Sequence, residues 1–287
     1  MMNTNNLNVQ NVPASGVAIP SIGFGTYGMG SASGMGTERL VRLISRAISA
    51  GFRHIDTAQI YGNEAAVGVA IQQSGVGRQN MFVTTKVWVE NYPTERFQLS
   101  VDASLRRFQT DYIDLLLLHW PSEGVPLGQQ LESLNQLVKV GKVRHIGISN
   151  FNQSLAEEAV RLSEIPLVTN QFELHPYLNQ TKILATTERL GMVATAYCAM
   201  ALGKVFSDQR LKSIAERYGR GVSQIVLRWV IQQGAVALSR TTNESRLAEN
   251  LSIFDFELEE ADMQAIGRLA IPNSRIVNPP GLAPDWD

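Results

Sequence analysis

From about residue 22 to residue 255, short apolar, β-branched runs alternate with longer stretches whose apolar residues recur at helical spacing. The runs Ile22–Thr26, Phe52–Ile55, Met81–Lys86, Tyr112–His119, Val143–Ser149, Leu167–Phe172, Met192–Tyr197 and Ala235–Ser239 predict eight strands. Between them, Thr37–Ala50 carries Leu40, Leu43, Ile44 and Ala47 on one stripe, and Thr94–Phe108 does the same with Phe97, Val101, Leu105 and Phe108. Thr37, Thr94, Asn152 and Asn179 stand at N-cap positions, while Gly51, Gly141 and Gly191 stand at left-handed C′ positions. Alternation of this kind means repeated βα units around a parallel sheet.

Eight units favour an α/β fold of the (β/α)₈ TIM-barrel type over an open doubly wound sheet. The open sheet also suits the alternation, but it normally carries a dinucleotide fingerprint after its first strand. Here that place holds Gly28-Met29-Gly30-Ser31-Ala32-Ser33-Gly34, a G-x-G-x-x-x-G spacing that reads as a flexible loop. Outside the repeats, Asn6–Gln10 and Val17–Pro20 form a candidate N-terminal β-hairpin closing the barrel floor. Two additional C-terminal helices are expected near Glu244–Leu251 and Glu259–Leu269, followed by a Pro-rich tail, Pro272–Asp287. No linker-like segment breaks the pattern, and 287 residues fit one barrel domain of about 250 residues spanning 1–287 better than two ordinary domains.

A formal charge of −1 removes the basic footprint expected of nucleic-acid or membrane-surface binding and leaves a small molecule as the default partner. The single cysteine, Cys198, rules out an internal disulfide and suits a reducing compartment. The opening residues lack the basic start and apolar stretch expected of a signal peptide, and no run approaches the roughly 18 apolar residues of a membrane span. The expectation is a soluble cytoplasmic monomer. His54, His119, His145 and His175 show no paired ligand spacing, so no metal is implied.

The reactive side chains fall at strand ends. Six successive strands terminate in Asp56, Lys86, His119, Asn150, Gln171 and Tyr197, positions that converge on the C-terminal mouth of a barrel. Each has a bland alternative: Lys86 as a lysine reaching solvent, His119 as a satisfied core imidazole, Asp56 as a turn cap, Tyr61 as a surface aromatic. Together they form a proton-donating device. A phenol titrates near 10, too high for an efficient acid at neutral pH, and a neighbouring ammonium lowers it. Lys86 is expected to supply that charge to Tyr61, Asp56 to hold the ammonium, and His119 to orient a carbonyl oxygen.

Gly51-Phe-Arg-His-Ile-Asp-Thr-Ala-Gln-Ile-Tyr-Gly-Asn-Glu64, Thr84-Thr-Lys-Val-Trp88, Asp111-Tyr-Ile-Asp-Leu-Leu-Leu-Leu-His-Trp-Pro121, Ile146-Gly-Ile-Ser-Asn-Phe151 and Asn170-Gln-Phe-Glu-Leu-His-Pro-Tyr177 resemble the aldo-keto reductase family over nearly the whole chain. Among prokaryotic members the chain is similar to the 2,5-diketo-gluconate and methylglyoxal reductase type. The resemblance implies a barrel without a separate dinucleotide domain, an extended NADPH or NADP⁺, and hydride transfer to an aldehyde or ketone. It maps a catalytic tetrad onto Asp56, Tyr61, Lys86 and His119. Carboxamide binding falls to Ser149, Asn150 and Gln171, nicotinamide stacking to Tyr197, and the ring's border to Gly25 and Thr26.

A pyrophosphate belt is implied from Ala199 through Leu202 to Lys204. The adenosine end is implied over Ser239, Arg240, Thr241, Thr242, Arg246, Glu249 and Asn250. Arg240 stands where the family often has lysine, and a guanidinium grips a 2′-phosphate in a bidentate way, which preserves preference for NADPH. Leu238-Ser239-Arg240 and Tyr197-Cys198-Ala199-Met200 depart from the family's Ile-Pro-Lys and Tyr-Ser-Pro-Leu. Those changes bear on the belt, not the tetrad.

Tyr27, Trp88 and Trp120, with Tyr61 and His119, form the expected substrate wall, suited to small apolar or aromatic carbonyl compounds. The short Trp120–Pro126 loop and short tail imply an open mouth, with Gly28–Gly36 as a rim and Trp286 over it. Two other classes stay open. A barrel lyase or isomerase would use Lys86 as a Schiff-base amine and the Arg240 loop for phosphate; a redox-sensing subunit would hold the cofactor with little turnover.

Overall fold

The structure is a computed structural model that describes residues 9–12, 16–30 and 34–286. Eight parallel strands close into a barrel: β3 (Ile22–Gly25), β4 (His54–Asp56), β5 (Phe82–Val87), β6 (Ile113–Leu118), β7 (Val143–Ser149), β8 (Leu167–Glu173), β9 (Val193–Tyr197) and β10 (Val236–Ser239), with β10 returning to β3. The closing register pairs Ala237 with Ile22 and Ser239 with Phe24. Every residue of β6 and β8 is buried. A strand covered by helices on one face and barrel interior on the other favours a near-continuous apolar run, as in Leu115–Leu118 of β6, whereas β8 buries Thr169, Asn170, Gln171 and Glu173 in hydrogen bonds.

Two strands precede the barrel. β1 (Val9–Val12) and β2 (Val17–Pro20) pair antiparallel, Val9 against Pro20 and Val12 against Val17. The expected hairpin is present, but its first strand lies later in the chain than Asn6–Gln10, and Asn6–Asn8 lie outside the described residues. Val17 and Ile19 of β2 pack with Leu115, Leu117, Val168, Val193 and Val236 inside the barrel, so the hairpin closes the floor with apolar side chains.

The helices α1 (Thr37–Ala50) and α3 (Thr94–Phe108) follow the apolar stripes to the residue. Between them lies α2 (Glu64–Gln73), and α4 (Leu127–Lys139), α5 (Gln153–Leu162) and α6 (Thr181–Arg189) follow in turn. Two helices, α7 (Gln209–Tyr218) and α8 (Val222–Gln232), occupy the connection from β9 to β10, and two more, α9 (Arg246–Leu251) and α10 (Glu260–Gly267), follow β10. Asn152 caps α5, its side chain accepting from Leu155 N. Thr37 and Thr94 are instead the first helical residues, because Gly36 and Pro93 already adopt the extended conformation of a cap. Asn179 lies one residue outside the cap of α6, where its Oδ1 still accepts from Thr181 N at 3.1 Å.

Inside the barrel wall, Gly147 leaves no room for a side chain against the neighbouring backbone. A Cβ on Gly147 would stand 2.7 Å from Thr169 O and 2.8 Å from Leu117 Cδ2, and the β7–β8 register shifts beside it, between Ile146 and Ile148. Among the described residues no helix is long and apolar enough to cross a membrane.

Candidate active site at the barrel mouth

Because the strands are parallel, their C-terminal residues share one rim. Asp56 ends β4, Lys86 is the penultimate residue of β5, and His119 follows β6 directly. Lys86 Nζ donates to Asp56 Oδ1 at 2.7 Å and to Thr57 O at 2.8 Å, with the lysine side chain 1% exposed. Asp56 Oδ2 accepts from Gln171 Nε2 at 2.8 Å. The buried ammonium is thus held by a carboxylate and a carbonyl rather than reaching solvent, and the carboxylate by two donors on different strands. Burial lowers the Lys86 pKa, and Asp56 opposes that shift by charge and hydrogen bond.

Tyr61 ends a short 3₁₀ turn, Gln59–Tyr61, beyond β4. Its ring centroid lies 5.3 Å from Lys86 Nζ, 5.8 Å from the His119 ring and 5.2 Å from the Tyr27 ring, both ring contacts edge-on. The expectation that Lys86 lowers the phenol's pKa is corrected here. Burial raises the Tyr61 pKa well above its ordinary 10, and Asp56, Tyr197 and Tyr27 add to the rise. Loss of water around the phenolate is the largest cause, and the Asp56 carboxylate, 2.7 Å from the Lys86 ammonium, adds to it by charge. Tyr61 therefore keeps its proton through the neutral range in the ligand-free protein. Burial, and then Lys86, hold His119 well below 6.5, so its imidazole is neutral. Its Nδ1 is buried without a partner.

The amide-bearing residues gather beside these groups. Asn150, with φ of +65°, donates from Nδ2 to His119 O at 3.0 Å and to Ser149 Oγ at 3.1 Å. Its Oδ1 accepts from Tyr197 OH at 2.7 Å, and Ser149 Oγ donates to Gln171 O at 2.9 Å. Ser149, Asn150, Gln171 and Tyr197 therefore form one connected group, tied through Gln171 to Asp56. Gly25 and Thr26 border it, with Thr26 bonded to Asp56 O through both Oγ1 and N at 3.0 Å.

Past Tyr197 the backbone turns left-handed at Cys198 (φ 58°), Ala201 (φ 44°), Leu202 (φ 52°) and Gly203 (φ 97°). Ala199 is buried there, Leu202 is 81% exposed, and Lys204 lies over the Tyr177 ring at 4.3 Å. Burial pushes the Cys198 thiol up to about 11, an unreactive thiol at neutral pH.

Beyond β10, Asn250 Nδ2 donates to Ser239 Oγ at 2.8 Å while its buried Oδ1 has no partner. Thr241 Oγ1 accepts from Asn243 N, Thr242 is exposed, and Glu249 Oε1 accepts from Ser223 Oγ at 3.1 Å. Arg246 leans on the Phe206 ring at 5.4 Å. Arg240 is exposed, and its Nε and Nη2 donate to Tyr27 O and Gly28 O.

Of the expected wall, Trp88 meets the His119 ring edge-on at 5.3 Å and Tyr27 is 67% exposed, while Trp120 is buried at 4% with its carbonyl accepting from Tyr92 OH at 2.7 Å. Trp286 is partly buried, its ring under Arg275 at 3.5 Å and its Nε1 donating to Asn278 Oδ1. A cleft of about 460 Å³ lies at the opposite end of the barrel, on its floor side, lined by Arg53, Asp114, Arg144 and His145. Asp114 there is already paired with Arg78 and Arg144, so the charge is structural and remote from the tetrad.

Two supporting residues carry no role in the sequence reading. Asn63 accepts from Thr57 Oγ1 at 2.6 Å and donates to Thr26 O and Met29 O at 3.0 Å, joining the turn after β3 to the turn after β4. Glu173, fully buried at the end of β8, accepts from His175 Nε2 at 2.8 Å and from Ile276 N and Val277 N at 2.7 Å. Both lie inside quoted motifs; only their burial distinguishes them from ordinary turn and helix-start polar residues.

Comparison with known proteins agrees with this geometry. The family model described as Aldo/keto reductase family matches residues 21–271. Methylglyoxal reductase DkgB of Escherichia coli O157:H7 is 38% identical over 274 residues, covering 94% of this chain and 100% of that protein. A crystal structure provisionally named 2,5-diketo-D-gluconic acid reductase B superposes with a TM-score of 0.92 at 53% identity, covering 97% of this chain and 98% of the other. A Bombyx mori aldo-keto reductase in complex with NADP superposes with a TM-score of 0.85 at 30% identity over 92% of this chain and 93% of the other.

Proposed function

Since this chain belongs to the aldo/keto reductase family and is an oxidoreductase, we propose that it reduces a small aldehyde or ketone with NADPH, using Tyr61 as the acid. The observation that carries this reading is the buried Asp56–Lys86 pair at 2.7 Å with its ammonium 5.3 Å from the Tyr61 ring. A free-standing lysine would serve Schiff-base chemistry; one held by Asp56 and Thr57 O is an electrostatic support for a phenol.

The residues fit the cofactor. Ser149, Asn150 and Gln171 offer hydroxyl and amide groups beside Tyr197 for a carboxamide-bearing ring, and Asn250 Oδ1 is a buried acceptor still lacking an amino donor. Arg240 and Arg246 offer exposed guanidinium groups for a phosphate. When bound, the reduced nicotinamide supplies the hydride. Tyr61 OH donates a hydrogen bond to the substrate carbonyl and then its proton to the developing alkoxide. The neutral His119 imidazole orients the same oxygen, and Lys86 stabilises the phenolate left behind. Trp88 and Tyr27 exclude water from one side.

The tetrad offers no cation free of a carboxylate partner, since Lys86 is paired with Asp56, so a neutral carbonyl such as the dicarbonyl named for the Escherichia coli relative suits it better than an acid. The test is NADPH oxidation followed by near-ultraviolet absorbance with methylglyoxal and a panel of aldehydes and ketones, with NADH in parallel. Tyr61→Phe is expected to bind NADPH normally and to lose at least about a hundredfold in turnover, the ordinary contribution of a positioned acid. Retained turnover in that variant refutes the role of Tyr61, and no oxidation with any carbonyl refutes the reductase reading.

A further inference from the structure

Arg240 stands after the last barrel strand, yet its guanidinium reaches the loop after the first. Nε donates to Tyr27 O at 3.1 Å and Nη2 to Gly28 O at 3.2 Å. A guanidinium carries five N–H donors in a flat fork, and these two bonds use the edge formed by Nε and one side of Nη2. The edge between Nη1 and Nη2 stays available, which is the edge that pairs two parallel N–H donors with two oxygens of one anion. The backbone so held belongs to Tyr27, whose ring abuts Tyr61 at 5.2 Å. Asn63 secures the buried side of the same turn by bonding Thr26 O and Met29 O. Arg240 is its exposed tether.

We propose that Arg240 is a bridging, positioning residue. One edge of its guanidinium holds the Tyr27–Gly28 backbone and the other receives a phosphate monoester on the cofactor's ribose, so that filling the phosphate site fixes the wall residue beside the acid. The inference rests on the NADPH reading above. Its physical basis is a shared ordering cost. An exposed arginine gives up rotamer freedom when held in one geometry. Once the phosphate confines the side chain, the bonds to Tyr27 O and Gly28 O form without that cost, and the reverse holds equally. A lysine cannot do both, since its donors radiate from one nitrogen and lack the flat two-edged fork.

The test uses the whole protein and two nucleotides without nicotinamide: adenosine 2′,5′-bisphosphate, which carries the ribose phosphate monoester, and adenosine 5′-monophosphate, which does not. Met29 and Met35 amides, bonded to Thr26 O and Gly30 O, report the turn by hydrogen exchange. With the bisphosphate at saturation these amides are expected to exchange about fivefold slower or more, the low end of ordinary coupling between sites, and to be unaffected by the monophosphate. Arg240→Lys is expected to bind the bisphosphate measurably by calorimetry, more weakly, and to lose the slowing. Preferential binding of the bisphosphate without slowing in the wild type, or slowing that survives in Arg240→Lys, overturns the bridge alone. Equal affinity of the wild type for both nucleotides overturns the NADPH reading on which it rests.

Discussion

Replacing Lys86 by Met tests whether the Asp56–Lys86 pair supports the site or merely occupies it. At 2.7 Å the two charges attract by about 6 kcal/mol at an effective dielectric near 20, while removing each ion from water costs several kcal/mol, so the intact pair contributes little net stability. Deleting one member is another matter. With Nζ gone, the Asp56 carboxylate, 4% exposed, keeps only the Gln171 Nε2 bond at 2.8 Å. Stranding a buried charge in this way costs about 3–5 kcal/mol. Asp56→Asn with Lys86→Met leaves no uncompensated charge, so the double variant is expected to be more stable than Lys86→Met alone and the pair to be strongly non-additive. Urea unfolding at neutral pH followed by circular dichroism, with the two singles and the double, measures the coupling. A Lys86→Met cost below about 1 kcal/mol, within the scatter of ordinary substitutions, or a double-variant cost equal to the sum of the singles, would refute the reasoning.

Acid should weaken the fold through its buried histidines, His119 of the tetrad and His54 outside it. Burial lowers His54 from 6.5 to about 4, with Asp56 and the Pro20 carbonyl opposing and Lys86 assisting. Because the folded value lies below the unfolded one, the associated stability is complete above pH 6.5 and is lost as pH falls toward 4. The 2.5-unit gap corresponds to about 3 kcal/mol. His54→Phe should flatten the pH dependence of the urea midpoint in that window by about one proton, and an unchanged slope would count against it. Gly147→Ala forces a Cβ to within 2.7 Å of a backbone carbonyl and should lower stability by about 1–3 kcal/mol; an unaltered urea midpoint would show that β7 and β8 can move apart without cost.

The barrel was legible because its signal is periodic. Leu115 to Leu118 are buried on both faces and advertise their strand as an unbroken apolar run, while Leu167 to Phe172 opens on an apolar, β-branched stretch and carries its polar residues, Asn170 and Gln171, toward the mouth. The α1 and α3 limits follow from stripes that end at real stops, a left-handed Gly51 and a left-handed Gln109. Cap positions slipped by one because a Thr can serve as cap or as first helical residue, and the choice depends on whether Gly36 or Pro93 is already extended. The first hairpin strand shifted because its register is set by packing of Val17 and Ile19 into the barrel, a tertiary contact.

In the site, which residues meet was legible, since strand ends on one rim are neighbours by topology. How they titrate was not. The direction of the Tyr61 shift depends on how much water the folded surroundings remove and on how close the Asp56 charge lies, and neither quantity is written in residue order. Asn63 and Glu173 were missed for the same reason: an Asn before a helix and a Glu after a strand read as surface residues until folding closes over them.

Closure of the barrel through the β10–β3 register has a further consequence for how this protein comes to be active. Asp56, Lys86, His119, Asn150, Gln171 and Tyr197 come from six neighbouring staves, and the two arginines beyond β10 belong to the last stave laid down. A partly wound sheet holds some of these groups near one another but cannot present the tethered Tyr27 turn, whose partner Arg240 arrives only when the ring is complete. The tether can therefore form only once the two ends of the cylinder have joined.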